Sequence, residues 1–281
     1  ATERLWKLMA CPEACGDAWH HAAMTAYHAS PHRIPRHPHA WAWLLMLSQL
    51  LVAAIWWRWG WKLGVPLMVA SHAPFWWGTL WPKSALFGPV LTRLSTPDRS
   101  VWLTIDDGPS DDTLSMLDAL DAHGAQATFF LVGERATQHP GRVREILRRG
   151  HGIGNHSATH PARWFWALGP MRMRREIART QSVLTEISGE PPRWFRAVVG
   201  MSNPFVNASL RTHGLARVAW CARGFDTVAA DPETVAARIA GKLSPGAIVL
   251  LHEGAAHGAN VEILSLLLKR LDALGYRTVL P

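Results

Sequence analysis

The chain has 281 residues and a formal net charge of +8, from 29 lysines and arginines against 21 aspartates and glutamates. Because 48% of the residues are hydrophobic and only 18% are charged, the composition excludes a disordered polyelectrolyte and fits one large domain or two small ones. Tryptophan is the anomaly: the chain has 16, and nine of them lie within residues 41–81, a density that an ordinary globular core does not need.

Residues 1–39 hold six of the fifteen histidines and no apolar run long enough to build a core, so we predict a mobile His/Pro-rich tail. Cys11 and Cys15 followed by His20 and His21 suggest a zinc site. Only one arm has the ligand spacing of a structural site, however, which favours a solvated tail. Three cysteines are too few for a disulfide framework, and they leave the redox compartment open.

Residues 40–57 form an uncharged run that would be about 27 Å long as a helix, which matches most of the hydrocarbon thickness of a bilayer. Trp41 and Trp43 lie at one end, and residues 56–61 place four more tryptophans at the other. This is the arrangement of two interfacial aromatic belts, so we predict a membrane span rather than a buried core helix.

A second uncharged run, over residues 63–82, is weaker because Pro66 and Pro74 interrupt it and His72 lies inside it. It is either a second span that closes a hairpin or a re-entrant or interfacial segment. Residues 40–82 are therefore predicted to be a membrane anchor with one or two N-terminal transmembrane helices. The flanking charges do not decide on which side the rest of the chain lies.

Residues 83–281 are predicted to form one soluble α/β domain, in which short apolar runs alternate with helical patterns. Strands separated by helices pair in parallel through right-handed crossovers. Six or seven such units favour a closed or nearly closed β/α barrel, and no strand is followed by a glycine-rich phosphate-binding motif. The predicted strands are residues 101–105, 127–132, 193–197, 216–220, 247–251 and 276–280, and the clearest helices are residues 111–122, 142–149, 171–188, 232–242 and 259–274.

In a parallel β/α domain the active site lies at the carboxyl ends of the strands. Asp106 and Asp107 follow the first predicted strand, where adjacent carboxylates can divide metal binding and proton transfer between them; the alternative is a tight turn. His156 and His160 are four residues apart, so they are either a solvated pair or neighbours able to hold one divalent ion. An Asp and two His form a facial ligand set with open positions.

Three further polar residues each follow an apolar run. Arg196 would orient and neutralise a carboxylate, or it is an exposed cation at a strand end. His252 is placed to act as a general acid, and a carboxylate such as Asp226 would raise its pKa and fix its tautomer. Each residue is ordinary by itself, but five candidate groups in chain order, each after its own strand, are hard to assign to chance.

At these positions the chain resembles the NodB-homology polysaccharide deacetylases, carbohydrate esterase family 4, in their membrane-anchored bacterial type. Residues 104–109 (TIDDGP) and 156–160 (HSATH) resemble the first two motifs of that family. Arg196, Asp226 and residues 250–252 (LLH) resemble the other three. The resemblance spans about residues 100–252. It implies a distorted (β/α)7-type barrel and metal-dependent N-deacetylation, typically of N-acetylglucosamine units.

The resemblance also implies a role for each matched residue. A divalent metal, zinc first with cobalt, manganese or nickel as alternatives, would be bound by Asp107, His156 and His160. Asp106 would be the base that activates water, and Arg196 would hold that base. His252 would be the acid for the leaving amine, and Asp226 would be the carboxylate paired with His252. The backbone N–H of Val199 would help to stabilise the oxyanion.

The chain departs from the family pattern mainly at sugar-facing positions. The third motif usually runs Arg-Pro-Pro-aromatic-Gly, whereas residues 197–199 are Ala, Val and Val. Ile105 stands for the usual Phe of the first motif, and Thr227 for the Trp that usually follows the fourth-motif Asp. These changes bear on the substrate more than on the reaction. Trp164 and Trp166, which follow the histidine pair, are candidate sugar-stacking platforms or core residues.

The leading hypothesis is a metal-dependent deacetylase integral to a bacterial inner (cytoplasmic) membrane. Its partners would be membrane lipids and an N-acylated amino sugar, in an envelope glycan or a lipid-linked glycan intermediate. One alternative is a catalytically inactive carbohydrate-binding membrane protein of the same fold, and another is removal of a different acyl group such as formyl. Arginine clusters at residues 142–149 and 172–179 are solvated helix faces or a surface for anionic head groups. No nucleic-acid motif accompanies the charge, so no nucleic-acid partner is expected.

Overall fold

The computed structural model describes residues 40–281, so the predicted tail over residues 1–39, with its Cys11 and Cys15, lies outside the described residues. The described part of the chain begins with two helices, α1 (Ala40–Trp59) and α2 (Trp61–Leu80). The elements that follow are β1 (Ser100–Gly108), α3 (Thr113–Ala122), β2 (Ala127–Leu131), α4 (Gly133–Gln138), α5 (Pro140–Arg148), β3 (Gly152–Asn155), α6 (Pro170–Ser188), β4 (Trp194–Phe195), α7 (Val206–Thr212), β5 (Ala216–Arg217), β6 (Ala222–Arg223), α8 (Pro232–Ala240), β7 (Ala247–His252), α9 (Asn260–Ala273) and β8 (Arg277–Thr278).

The first two helices form an antiparallel hairpin. Gln49 Nε2 donates a hydrogen bond of 2.9 Å to Ser71 Oγ, and Trp41 packs edge-on against Phe75 with 6.4 Å between the ring centroids. Most side chains of α1 are nevertheless exposed, and Val52 is its buried residue. Within the described residues, α1 is the one helix that is long and apolar enough to cross a membrane, by length and composition alone.

The strands form one parallel sheet in the order β5-β4-β3-β2-β1-β7-β6, with β8 paired to the start of β1. Leu91 bridges Val218, just beyond β5, and Arg93 bridges Ala247 at the start of β7. The segment around residue 92 therefore spans the gap between the two sides of the sheet. The predicted distorted (β/α)7-type barrel is confirmed, and of the one or two transmembrane helices predicted before it the described residues contain one helix apolar enough to be such a span.

Alternation along β1 separates two apolar clusters. Its outward-facing residues pack in one cluster with the surrounding helices, and they are Val101, Leu103 and Ile105. Trp102 belongs instead to a cluster inside the barrel that includes Phe130. Because side chains two residues apart share one face of a strand, Thr104 and Asp106 lie on the same inner face as Trp102. The strand therefore delivers Asp106 to the barrel interior at its carboxyl end.

Two features of the sheet differ from the sequence pattern. β3 was not predicted because Gly152 and Gly154 interrupt its apolar run; a Cβ at Gly154 would lie 2.6 Å from the Phe130 ring, so only glycine fits there. The predicted strand over residues 216–220 pairs with β4 only at its first two residues. The chain then crosses to β7, where β6 pairs.

Replacing Gly154 by Ala tests the close approach of β3 to the barrel interior. The added methyl group would meet the buried Phe130 ring, and we expect destabilisation of about 1–3 kcal/mol, the usual cost of overpacking a core. The measurement is the free energy of chemical unfolding. Gly141→Ala is the matched control: nothing lies within 4 Å of its Cβ, so helix propensity should leave stability unchanged or raise it by up to about 1 kcal/mol. Equal stabilities would contradict the packing argument.

Candidate active site

The three predicted metal ligands converge at the carboxyl ends of β1 and β3. Asp107 Oδ1 lies 3.0 Å from His160 Nε2 and 3.4 Å from His156 Nε2, and all three ligand atoms lie within 4.8 Å of one another. Asp107, the second-to-last residue of β1, has a left-handed backbone with a φ of 71°, which interrupts the regular strand geometry there. The two adjacent carboxylates contact different partners: Asp107 faces both histidines, and Asp106 Oδ1 accepts a hydrogen bond from Arg196.

The hydrogen bonds around this triad fit a bound cation. His156 Nδ1–H donates to the carbonyl oxygen of Arg196 at 2.9 Å, and because a carbonyl only accepts, this bond leaves a lone pair on His156 Nε2. Asp107 Oδ1 is buried and accepts no hydrogen bond from the described residues. A carboxylate oxygen and an imidazole lone pair that face each other need positive charge between them. One Asp and two His are also a donor set that suits zinc and related divalent ions.

The pKa of Asp107 reflects the same requirement. Burial alone would raise it, but the two imidazoles of His156 and His160 beside the carboxylate, in their charged form, outweigh burial and hold this pKa well below its ordinary value. The carboxylate is thus stabilised by positive charge at this point, carried either by protons on the imidazoles or by a metal ion.

Arg196 is fully buried inside the barrel, so it is not the exposed cation of the alternative interpretation. Its Nη1 donates to Asp106 Oδ1 at 2.8 Å and to Thr104 Oγ1 at 2.7 Å, and its guanidinium carbon lies 4.2 Å from the Phe130 ring centroid. Burial lowers the pKa of Arg196, and the charge of Asp106 opposes that shift. Asp106 is therefore held as a buried carboxylate with one oxygen occupied by an arginine.

His252, at the end of β7, is paired with the buried Asp226. Asp226 Oδ1 accepts a hydrogen bond from His252 Nδ1 at 3.0 Å, and Oδ2 accepts one from the His252 backbone N–H at 2.6 Å. Burial disfavours the imidazolium, but the hydrogen bond and charge of Asp226, with the charges of Asp106 and Asp107, outweigh it and raise the pKa of His252 to about 9. The imidazole is therefore protonated at neutral pH, as a general acid requires.

Sequence reasoning missed Glu176, a buried carboxylate on α6 that shapes the histidine loop. Its Oε2 accepts hydrogen bonds from the backbone N–H groups of Ala158 and Thr159 at 3.0 and 2.9 Å, and its Oε1 accepts one from the Thr159 hydroxyl at 2.8 Å. These donors lie between His156 and His160. On an arginine-rich helix a glutamate reads as a surface ion-pair partner, so no sequence signal marked it.

Glu253, next to His252, is a second buried carboxylate that the sequence pattern did not mark. Its Oε2 accepts hydrogen bonds from the backbone N–H and the hydroxyl of Ser110 at 3.1 and 2.7 Å, and from the Thr113 hydroxyl. Burial raises the pKa of Glu253, and these hydrogen bonds oppose part of the shift. The carboxylate ties the loop after Asp107 to the end of β7.

The three remaining predicted residues lie at the exposed edge of the barrel. Val199 sits in the turn at residues 198–200 that follows Arg196, with a left-handed φ of 55° and an exposed side chain. Trp164 and Trp166 are 64% and 44% exposed, so neither packs in the core. Their roles toward a sugar and an oxyanion stay predictions.

Comparison with known proteins gives one family. The family model for polysaccharide deacetylases matches residues 93–218. Two similar curated proteins are the peptidoglycan-N-acetylglucosamine deacetylase of Bacillus cereus, 31% identical over 184 residues, and the chitooligosaccharide deacetylase of a Bradyrhizobium species, 33% identical over 158 residues. The first alignment covers 64% of this chain and 66% of the relative, slightly under two thirds, and the second covers 56% and 71%.

Solved structures give the same result for the fold. The family 4 carbohydrate esterase from Streptomyces lividans, solved in complex with acetate, superposes with a TM-score of 0.60 at 31% sequence identity. The match covers 66% of this chain and 94% of that one. The family model begins at residue 93, so the hairpin of α1 and α2 lies outside the region that it matches.

Glu176→Gln tests whether the buried carboxylate holds the histidine loop in its metal-binding geometry. Both glutamate oxygens accept hydrogen bonds from Ala158 or Thr159, so an amide NH2 must face at least one donor and the loop must shift. We expect zinc affinity to fall about 10- to 100-fold, the usual cost of losing an outer-shell partner, as measured by competition with a chromogenic chelator. Glu186→Gln, at an exposed position of the same helix, is the matched control. Unchanged affinity in both variants would show that the loop holds its shape without Glu176.

Proposed function

We propose a function from the premise that this chain belongs to the polysaccharide deacetylase family, carbohydrate esterase family 4. The proposed reaction is removal of an N-acetyl group from an amino sugar in an envelope glycan or a lipid-linked glycan intermediate. As a family member with the Asp–His–His triad, it is a metal-dependent N-deacetylase. One observation carries the proposal. Beside the metal-binding triad lie a buried base, Asp106, held by Arg196, and a protonated acid, His252, held by Asp226. A protein that only binds sugar needs neither the base nor the acid.

Asp106 is suited to take a proton from the attacking water. Arg196 occupies its Oδ1, while no described residue donates a hydrogen bond to Oδ2, which lies 3.8 Å from His156 Nε2. A divalent ion held by the triad would supply Lewis-acid polarisation of the amide carbonyl and of water. The Asp106 carboxylate then accepts the proton released as the oxygen of water joins the acyl carbon.

His252 is suited to complete the reaction by giving its proton to the amide nitrogen as the carbon–nitrogen bond breaks, which yields acetate and the free amine. Asp226 holds the imidazole in place and stabilises its charged form. The Val199 N–H would donate to the oxygen that becomes negative in between. Trp164 and Trp166, exposed beside the histidine loop, would stack against sugar rings.

The N-terminal helices support a place at a membrane. Helix α1 has the length and composition of a bilayer span, and most of its apolar side chains are exposed. We therefore place the chain in the bacterial inner membrane, with residues 40–82 as the anchor. The packing of α2 against α1 favours a hairpin over a single span. The amino sugar would then be one that reaches the membrane surface.

Acetate release from an N-acetylglucosamine oligosaccharide tests the reaction. The purified full-length protein with zinc should release acetate and stoichiometric free amine, as measured by an enzyme-coupled acetate assay and amine labelling. Asp107→Ala and His156→Ala remove triad ligands, so each should lose activity together with bound metal, as measured by elemental analysis. His139→Ala, at an exposed histidine outside the site, is the control and should keep both.

Three results would redirect the proposal. Full activity in both ligand variants would overturn the metal mechanism. Stable sugar binding without stoichiometric metal, and without rescue by added zinc, cobalt, manganese or nickel, would favour the inactive binding protein. Formate released from an N-formyl substrate, with no acetate from the acetyl substrate, would leave the machinery in place and change the acyl group.

Asp226→Asn tests the assignment of the acid through the pH dependence of kcat/KM. His252 must be protonated to act, so kcat/KM should fall as pH rises through its pKa, which Asp226, together with the charges of Asp106 and Asp107, raises to about 9. Removing the carboxylate charge lowers that pKa toward the ordinary value of 6.5, and the basic limb of the profile should move to lower pH. Asp98→Asn, at an exposed aspartate, should leave the limb in place with the same metal bound. A basic limb at the same pH in all three proteins would exclude His252 as the acid.

A further inference from the structure

The helical hairpin is attached to the same edge of the barrel that carries the catalytic groups. Ser202 N–H donates a hydrogen bond of 2.9 Å to the carbonyl oxygen of Thr79, in the last turn of α2. Two residues earlier, Gly200 packs directly against Pro82, since a Cβ at Gly200 would lie 2.7 Å from the proline ring. Gly200 ends the turn that follows Arg196 at the carboxyl end of β4. The end of the hairpin therefore meets the rim of the site.

Asn203, the residue after Ser202, connects the end of α2 to the loop at residues 164–168, which carries Trp164 and Trp166. Asn203 is buried, and its side-chain amide donates hydrogen bonds to the carbonyl oxygens of Trp166 at 3.3 Å and Leu168 at 2.9 Å. Ser202 and Asn203 thus hold the end of α2 on one side and the loop at residues 164–168 on the other. The loop begins four residues after the metal ligand His160.

Large apolar side chains are exposed around this edge. Single exposed apolar residues are ordinary on a protein surface, but a group of them beside one site indicates a contact with another apolar phase. Met171 is 64% exposed and Phe205 is 40% exposed. We call this group the apolar rim, and it consists of Trp164, Trp166, Met171, Val199 and Phe205.

Arginines accompany the apolar rim. The first turn of α6 has no acidic residue, and the carboxylate of Glu176 is buried and bonded to the histidine loop. Together with Thr159 and Met171, arginines of α6 line a shallow groove of about 690 Å³. Four exposed arginines on the loop and the start of α6 form no ion pair within residues 40–281, and they are Arg163, Arg172, Arg174 and Arg175.

We propose that the apolar rim and these four arginines form a docking surface that lies on the anionic head groups of the membrane that holds α1. The Met171 and Phe205 side chains would enter the interfacial layer and the arginines would pair with lipid phosphates, while Trp164 and Trp166, at the same edge, stay available for the sugar. The surface is continuous with the end of α2, so insertion of the hairpin brings it to the bilayer. The metal triad then opens toward the lipid surface, and the substrate is a glycan presented there rather than free in solution. This inference rests on the proposed membrane insertion of α1.

Depth-dependent quenching in proteoliposomes tests the docking surface with the full chain. Single cysteines for an environment-sensitive fluorophore are introduced as Met171→Cys and Phe205→Cys, in a background that carries Cys11→Ser, Cys15→Ser and Cys221→Ser. The vesicles contain phosphatidylethanolamine and phosphatidylglycerol, with nitroxide-labelled lipids as quenchers. We expect a blue-shifted emission and loss of fluorescence with shallow nitroxides at both positions.

Two further label positions separate failure of the docking surface from failure of the anchor. Leu51→Cys lies in the middle of α1 and should be quenched by deep nitroxides. Leu274→Cys lies at the opposite end of the barrel, before β8, and should report water. A quenched label at Leu51→Cys with unquenched, water-exposed labels at Met171→Cys and Phe205→Cys overturns the docking surface alone.

The remaining outcomes also decide the question. A water-exposed label at Leu51→Cys overturns the anchor and the docking surface together, while acetate release would still stand by itself. Labels at Met171→Cys and Phe205→Cys that are shielded from water but not quenched by any nitroxide lipid would show that a protein, such as a second copy, covers the rim. Bound zinc and circular dichroism spectra like those of the cysteine-free parent identify the variants that are folded.

A charge-reversal pair tests the lipid phosphates. Arg172→Glu with Arg175→Glu should reduce shallow quenching of the Phe205→Cys label in vesicles that contain phosphatidylglycerol, and have little effect in phosphatidylcholine alone. Arg238→Glu with Lys269→Glu, on helices α8 and α9, is the matched control and should leave quenching unchanged. Equal quenching in the two double variants would remove the head-group contact from the proposal.

Discussion

The structure depends on one buried ion pair, between Arg196 and Asp106 inside the barrel. Arg196 is completely buried, and a guanidinium without compensation would be too costly to place there. It is compensated by Asp106, by the Thr104 hydroxyl, by the Phe130 ring face and, at 3.3 Å, by the carbonyl oxygen of Ala219. These partners come from β1, β2 and the segment between β5 and β6. The charge is therefore stable only when those parts of the barrel meet.

The same residue organises both halves of the chemistry. The Arg196 side chain fixes the oxygen of Asp106 that does not face the triad, while its main-chain carbonyl accepts from His156 Nδ1 and so directs Nε2 toward Asp107. A strand presents adjacent side chains to opposite faces, and the left-handed backbone at Asp107 departs from that pattern. Two neighbouring aspartates can thus serve as base and metal ligand without competing for one partner.

The sequence predicted what depends on local pattern and missed what depends on tertiary contact. Apolar runs and the rule that catalytic groups follow parallel strands placed both aspartates, Arg196 and His252 at one edge of the barrel, whereas the two histidines were marked by their spacing of four residues and by the family resemblance. β3 was missed because its glycines, required by the Phe130 ring, remove the apolar signal. Glu176 and Glu253 were missed because nothing in a single sequence tells a buried carboxylate from an exposed one when its partners are backbone N–H and hydroxyl groups 17 and 143 residues away.

The turn at Val199 shows how the N-terminal helices bear on the site itself. A β-branched residue at a φ of 55° is strained, and such a conformation persists only where its surroundings fix it. The neighbour Gly200 provides that constraint: its left-handed backbone fits between the Trp220 ring and Pro82, where no side chain has room. Trp220 belongs to the barrel interior, whereas Pro82 follows α2. The strained turn is therefore clamped between the barrel and the anchor segment, so residues outside the region matched by the family model help to set the position of the Val199 N–H.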